Sequence, residues 1–532
     1  MVTNSNKPKQ WLRSFGRKLS EAFMQDHIES DTAQKNRNNS ERNITPKTNV
    51  KSVVKKVEKS LSKATRTVAK TGKLLSKSVG KSVGKSVEKS VKESVSKASK
   101  TVRKSINKAT NKTVNEAVNS SANKPRKAPV FKLKTKEKPT ETATVTQESI
   151  FKQYIGWRSL TNPLWCLYGM RISVVILSIF GLFMVFSSSS VTMITYGVAP
   201  WGQGINQTVY CILGMVGYIF ASRVPIAYYR RYIAVIYMIA VVAQFLTFVP
   251  GLRREVNGNA GWIAFGPITV QPAEITKLAL CIWLPIALLA AKQAYERVQM
   301  RAYIPVAVGL GVSLLLVIAG KDLGTALIII LIALIAFYLG GFPTRWLIGS
   351  MLVAIAMVAL LVFTSQNRMR RILATLHGCD AKAARGVCFQ AIHAQYAMAS
   401  GGLLGVGIGN SREKWNYLPY AHNDFIFAII GEEMGFLVAS AVILLYVIIG
   451  WCIFSSALQT KSKFISITLM CISTWIVGQG LVNILVVVQI LPVMGVPMPF
   501  VSAGGSSLVM CLIAVGVADG LMRANPKLTV AK

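Results

Sequence analysis

Leu323-Gly-Thr-Ala-Leu-Ile-Ile-Ile-Leu-Ile-Ala-Leu-Ile-Ala-Phe-Tyr-Leu-Gly340 is a run of 18 residues without a charge. Wound as an α-helix it reaches about 27 Å, close to the ~30 Å hydrocarbon core of a bilayer. Working outward, comparable apolar stretches recur at about 171–189, 205–221, 232–249, 272–291, 304–320, 346–363, 434–454, 464–481 and 500–520. With the first they make ten, and they predict an all-α, polytopic membrane protein of ten transmembrane helices. Positive charge sets the expected orientation: Arg223, Arg230, Arg231, Lys292, Arg297, Arg301, Arg345, Lys461, Lys463 and Arg523 flank the spans on one side, against Arg253, Arg254 and Lys321 in the short loops of the other. By the positive-inside rule both termini are expected in the cytoplasm.

Composition agrees with this division. Of 532 residues 52% are hydrophobic, with 61 Lys and Arg against 22 Asp and Glu, which excludes one soluble globular domain. The first 150 residues hold 35 of the basic and 12 of the acidic groups, so only ten carboxylates remain in residues 151–532. A soluble domain of that size would cover itself with charge, whereas a lipid-facing surface cannot, because each buried charge costs several kcal/mol. Residues 151–532 are therefore read as the membrane domain. Six of the eight cysteines stand singly in apolar stretches, and only Cys379 and Cys388 lie close together, so no metal-ligand pattern emerges.

Residues 1–150 are read as a disordered, basic, cytoplasmic extension. From Lys51 to Lys138 they repeat Lys, Ser, Thr and Val, as in Lys77-Ser-Val-Gly and Lys81-Ser-Val-Gly, and such a segment cannot bury a core. Near 11–23 the pattern changes: Trp11, Leu12, Phe15, Leu19, Ala22 and Phe23 fall within about 120° of helical arc, opposite Arg13 and Arg17. That is the pattern of an amphipathic helix lying in a membrane surface. The tail's charge suits the anionic lipid of the inner leaflet, and equally a solvated tail without a specific partner. Nucleic acid is not expected, since lysine without interleaved aromatics gives no base readout. No apolar stretch of signal-peptide type opens the chain, so no cleavage is expected.

One connector departs from the short-loop rule. Thr364 to about Glu433, between spans seven and eight, is long and polar, faces outside, and is of a size that usually carries function. Beyond it Phe425–Phe454 is nearly continuous apolar sequence that as one helix would run about 45 Å and overshoot the bilayer. A break is predicted near Gly431 and Gly435, leaving Phe425–Ile430 as a short segment at the outer surface and Asp424 against the outer mouth of the bundle. Ser400-Gly-Gly-Leu-Leu-Gly-Val-Gly-Ile-Gly409 lacks the strand and lysine of a phosphate loop, and is read as a re-entrant turn packed on helices, as is Ser502–Ser507.

Six carboxylates are expected at or beyond the outer face: Glu255, Glu274, Asp322, Asp380, Glu413 and Asp424. Glu274 and Lys277, three apart on a helix, can pair, which leaves a structural ion pair and a functional site equally open. Asp322, before Leu323-Gly-Thr325, reads as a helix cap. Asp424 beside apolar surface should have a raised pKa suited to a general base, with Arg412 and Lys414 upstream to hold a phosphate. His422 is a second proton acceptor by type, although a lone loop histidine is more often a hydrogen-bonding residue. Glu432 and Glu433 are expected to orient backbone or basic groups.

These motifs together, Gln271-Pro-Ala-Glu274, Lys321-Asp-Leu-Gly-Thr-Ala326, Ala399-Ser-Gly-Gly402, Asn410 to Glu433 and Leu491-Pro-Val-Met-Gly-Val-Pro-Met-Pro-Phe500, resemble the SEDS family (shape, elongation, division and sporulation) over about residues 165–522, and its division branch more than its elongation branch. The resemblance implies a ten-helix peptidoglycan glycosyltransferase acting at the division septum of a bacterial plasma membrane. It places the family's essential aspartate on Asp424, its Glu and Lys pair on Glu274 and Lys277, and its Asp-Leu-Gly-Thr aspartate on Asp322. Tyr420, Asn423 and Gly261 depart from the family pattern of Glu, Thr and Arg at those positions.

The resulting expectation is that Asp424 deprotonates the acceptor sugar of the lipid-linked disaccharide pentapeptide, lipid II. The growing glycan strand then lengthens by inverting transfer and polyprenyl pyrophosphate leaves. Lys277, Arg412 and Lys414 are expected to stabilise that leaving group, with Glu274 and Asp322 orienting them or holding a divalent cation; no other cofactor is implied. Expected partners are a class B penicillin-binding protein, a transpeptidase, and other division proteins. A lipid flippase and a non-catalytic scaffold are the rival classes.

Overall fold

A computed structural model describes residues 154, 156–256, 259–265, 268–377, 386, 388–415 and 417–525. The chain divides at Pro139/Thr140 into two units, and every described residue falls in the second. The amphipathic stretch at 11–23, the lysine tract, Cys379 and Asp380 lie outside the described residues.

The fold is helical. In chain order the helices are α1 (Pro163–Thr195), α2 (Gly202–Arg223), α3 (Ile226–Leu246), α4 (Pro272–Val298), α5 (Ile304–Ala319), α6 (Leu323–Gly340), α7 (Thr344–Phe363), α8 (Gln366–His377), α9 (Phe389–Ser400), α10 (Ile426–Gln459), α11 (Lys463–Val487) and α12 (Gly505–Arg523). Among the described residues nine stretches are long and apolar enough to cross a bilayer, one of them the 48 residues Pro272–Ala319. A straight helix of that length would run about 72 Å. It is instead divided by the 3-10 turn Gln299–Tyr303 into α4 and α5. Outward-facing side chains such as Ile212, Phe220, Val235, Ile239 and Leu352 are exposed and apolar, as lipid-facing residues must be. The protein is a multi-pass membrane protein.

α11 and α12 form the centre of the bundle, with Trp475, Ile476, Leu512 and Val515 fully buried. At one end Asp519 of α12 accepts hydrogen bonds from Arg171 of α1 (2.9 Å from both Nε and Nη2) and from the Tyr218 hydroxyl of α2, and pairs with Arg523 at 2.8 Å. Three helices are thereby tied through one buried carboxylate. α7 is the opposite case, for it contributes no buried residue at all.

The long apolar run breaks at Gly435 (φ 75°, ψ −176°) and stays helical at Gly431. The segment before the break is enclosed by protein: Ile426–Glu433 is buried throughout. Its freed backbone is satisfied by the glycine-rich run. Val406 and Gly407 N–H groups donate to the Glu432 and Glu433 carbonyls (2.9 and 3.0 Å), and Phe436 N–H donates to the Gly402 carbonyl (2.9 Å). Glycine is required for that approach, since a Cβ on Gly405 would overlap the Glu433 carbonyl oxygen and one on Gly435 the Gly405 nitrogen. The run thus packs against a helix, and backbone left unpaired in the bilayer is paired within the protein.

Helices alone did not prepare for the small antiparallel sheet between α3 and α4. It comprises β1 (Arg253–Val256), β2 (Asn259–Phe265) and β3 (Ile268–Val270), in the order β1-β2-β3. Val256 faces Asn259 and Ile263 faces Val270, with a bulge between Arg254 and Val256. The Asn257-Gly258 dipeptide between β1 and β2 is the sequence signal for such a hairpin. The Ala260 N–H donates to the Gly320 carbonyl at the end of α5 (3.0 Å), which fixes the sheet over the α5–α6 turn.

Candidate active site

Beside the sheet, at the α5–α6 turn, a cavity of about 980 Å³ opens between α5, α6, α7 and α8 and the loop that precedes α12. Its two halves differ in chemistry. Towards the sheet it is lined by Asp322, Asp424, Lys321, Arg368, Arg371, Gln271 and Asn423; away from it by Leu310, Leu314, Leu334, Phe337, Leu347 and Val353. One end is therefore charged and the other is mostly apolar, with Ser350 among its aliphatic side chains.

Asp424 is the last residue but one before α10, placed there because Phe425 and the buried turn after it anchor the chain in the core. Its carboxyl is half-buried. Burial pushes its pKa up to about 6, the neighbouring Asp322 carboxylate adds to the rise, and the Arg371 guanidinium opposes it. Asp322 is the N-cap of α6: Oδ1 accepts from Thr325 N–H (2.9 Å), and Oδ2 from Thr325 Oγ1 (2.9 Å) and Gln271 Nε2 (2.8 Å). Its cap role and its place in the cavity coexist. Burial lowers the pKa of Arg371 while Asp424 raises it, and Arg371 Nη1 donates to the Val493 carbonyl at 3.2 Å.

Glu274 and Lys277 do pair, at 2.9 Å, each only 1% exposed. They do not line the cavity. Lys277 Nζ also donates to Gln479 Oε1 (2.7 Å) and lies 4.9 Å from the centre of the Trp475 ring, so the pair is locked inside the bundle against α11. Arg412 and Lys414 are elsewhere too. Arg412 is exposed, while buried Lys414 donates to Glu433 Oε1 at 2.8 Å beside Ser187. Glu432 accepts from the Ser411 hydroxyl and from Arg412 N–H (2.8 Å), so the two glutamates hold backbone and a cation at the broken helix. His422 does not line the cavity; its carbonyl accepts from Ala503 N–H (2.9 Å) and burial lowers its pKa.

The structure therefore brings Asp424 and Asp322 together and supplies Lys321, Arg368 and Arg371 as cations lining the same cavity, where Lys277, Arg412 and Lys414 are not. Arg368 and Arg371 escaped sequence reasoning, although Arg368-Met-Arg-Arg371 in a long outer loop is a basic cluster that could have been weighed. Gln479 and Asn483 escaped it as well; two amides four apart in a span are themselves a signal, because buried polar groups in a bilayer require partners. The departures Tyr420 and Asn423 both line the cavity, and a Cβ at Gly261 would meet Asn259 Oδ1 at 2.9 Å and Asp322 Oδ2 at 3.9 Å. Glu274 and Asp322 do not share a site, and no group of three or more His, Cys, Asp or Glu that could hold a metal occurs among the described residues. Cys388, the residue before α9, is disulfide-bonded.

The sequence profile of the cell cycle protein family of FtsW, RodA and SpoVE matches residues 168–526. The chain is 32% identical over 357 residues to a probable peptidoglycan glycosyltransferase FtsW of Mycobacterium tuberculosis, with 67% of each chain covered. It is 34% identical over 350 residues to a protein of the same description from Geobacter sulfurreducens, covering 64% of this chain and 91% of that one. In fold it is similar to a chain from a peptidoglycan synthase complex solved for its coordination of polymerization and crosslinking, with a TM-score of 0.55, 22% identity, and coverage of 68% and 98%.

Proposed function

The chain belongs to the cell cycle protein family of FtsW, RodA and SpoVE, and from that premise we propose that it is a peptidoglycan glycosyltransferase that polymerises lipid II into glycan strands at the division septum. The observation that carries this reading is the cavity's divided chemistry: a carboxylate of raised pKa and three cations at one end, an apolar trough at the other. A sugar joined through pyrophosphate to a polyprenyl chain needs both at once.

Asp424 is the base. Near pH 7 it is largely deprotonated despite its raised pKa, and its basicity is better matched to a sugar hydroxyl than that of an ordinary carboxylate. It takes the proton from the acceptor hydroxyl, whose oxygen attacks the donor's anomeric carbon from the face opposite the pyrophosphate, so the configuration inverts. As that bond breaks, negative charge gathers on the departing phosphate, and Arg368, Arg371 and Lys321 are the cavity's groups for receiving it. The polyprenyl chain lies in the trough along α5, α6 and α7. Asp322 tunes Asp424 through its charge while capping α6.

The ten apolar stretches, with α4 and α5 counted as two passes, and the positive-inside pattern together support cytoplasmic termini and a site at the outer face. Membership of the family and the likeness to a synthase-complex chain support a class B penicillin-binding protein as partner, with other division proteins around it. The test is polymerisation in detergent, with no membrane to cross. Purified chain, its transpeptidase partner and lipid II should give glycan strands, and Asp424→Asn should lower the rate about 10²-fold or more at unchanged thermal stability. Absence of strands with wild-type protein would favour a flippase or a scaffold.

A further inference from the structure

The loop Leu491-Pro-Val-Met-Gly-Val-Pro-Met-Pro-Phe500 cannot form a helix or join a sheet interior, because its three prolines remove three N–H donors. Its carbonyls still lie inside the protein and need partners. Four are met by side chains from three different helices. Val493 O accepts from Arg371 of α8 (3.2 Å), Val496 O from Asn483 Nδ2 of α11 (2.7 Å), Pro497 O from Gln479 Nε2 of α11 (2.8 Å), and Pro499 O from the Tyr446 hydroxyl of α10.

Two of those donors also reach the charged groups. Asn483 Nδ2 bonds the Asp424 carbonyl at 2.8 Å, so one amide holds the base's own backbone and the loop together. Gln479, one helical turn earlier, accepts from Lys277 through the oxygen whose amide nitrogen holds Pro497. The loop in turn lies against the carboxyl: a Cβ on Gly495 would be 3.6 Å from Asp424 Oδ2. We infer that Gln479 and Asn483 are positioning residues that seat Asp424 through the proline-rich loop, and that the buried Glu274–Lys277 pair acts on the reaction by this route, without touching substrate. Both amides are essentially inaccessible, at 0% and 1% exposed, so their bonds are not exchanged for water. Misplacement of a reacting group by about 1 Å can cost 10²-fold in rate, which is the scale on which such seating matters.

The inference rests on Asp424 being the base, and the experiment separates the two. Asn483→Leu removes both of its bonds at similar volume, and Gln479→Met removes the link between Lys277 and the loop. In the purified chain with its transpeptidase partner, each should lower kcat about 10-fold or more while KM for lipid II changes less than about twofold. Their combined effect should be smaller than the product of the two, since both act through one loop. With the clamp released Asp424 moves towards water, so the acid limb of the kcat/KM profile should shift down from about 6 towards the ordinary carboxylate range. Asn483→Gln, which keeps a donor, should restore part of kcat. Full activity in Asp424→Asn would remove the base and the premise. Loss in Asp424→Asn with a wild-type kcat and acid limb in both amide variants overturns the positioning role. A variant that fails to fold is replaced by Gln479→Glu and Asn483→Asp, read by the same split.

Discussion

Two charged clusters sit on either side of the turn that enters α10, and they use the same residue types to opposite ends. In the knot under the glycine-rich run, Lys414 and Glu433 are buried, joined at 2.8 Å, and supported by Ser187, while Glu432 is filled by Ser411 and the Arg412 amide. In the cavity, Asp424 is half-buried with its carboxyl towards open space, close enough to Asp322 to feel its charge and to Arg371 to be drawn the other way. Where every charge has a partner the cluster fixes shape. Where charges are left partly opposed, a proton is easy to move.

The comparison can be broken first from the knot. Lys414→Met leaves Glu433 buried without its cation, a change that typically costs about 3–5 kcal/mol, so the folded fraction should collapse in a denaturant or thermal series before any kinetic defect is measurable. Retention of near-wild-type stability would mean that the knot is no more structural than the cavity. In contrast, Arg371→Met should fold, and lose about 10- to 100-fold in kcat, because a cation facing developing phosphate charge is removed along with the bond to Val493. A stability loss exceeding the kinetic loss would place Arg371 with the structural group.

The smallest effect is on pH. A base with pKa about 6 works only when deprotonated, so kcat/KM should be half-maximal near pH 6, fall further below it, and level off only at about neutral pH as far as this group is concerned. Asp322→Asn caps a helix about as well as Asp, yet removes a charge that raises Asp424. Its acid limb should therefore move down, by less than about one unit, with little change in thermal stability. An unmoved limb would show that Asp322 and Asp424 do not communicate.

Most of the helical fold was legible because span length and loop charge answer to the bilayer, a constraint readable without contacts. The break at Gly435 was legible for the same reason, whereas the burial of Ile426–Glu433 was not, since nothing local says that the glycine-rich run folds back over it. The hairpin at Arg253–Phe265 carries the Asn257-Gly258 signal, but its strands are short and lie beside apolar runs whose length speaks only for helices. Within the site, Asp424 and Asp322 were found from their neighbours in sequence. Arg412 and Lys414 were nominated by the same nearness and lie outside the cavity, while Arg368, Gln479 and Asn483 reach it or its loop from well outside the Asp424 motif. Sequence proximity finds a residue's type and its helix end; it does not find what tertiary folding carries to it.

α7 walls the apolar trough yet has no buried residue, so its outer face is the bilayer itself. A substrate dissolved in that bilayer meets the enzyme by diffusion in two dimensions, through the wall least tied to the core. The concentration that governs its encounter is then a mole fraction of lipid, and a Michaelis constant in molar units would change with the amount of detergent or membrane supplied while the protein stayed the same.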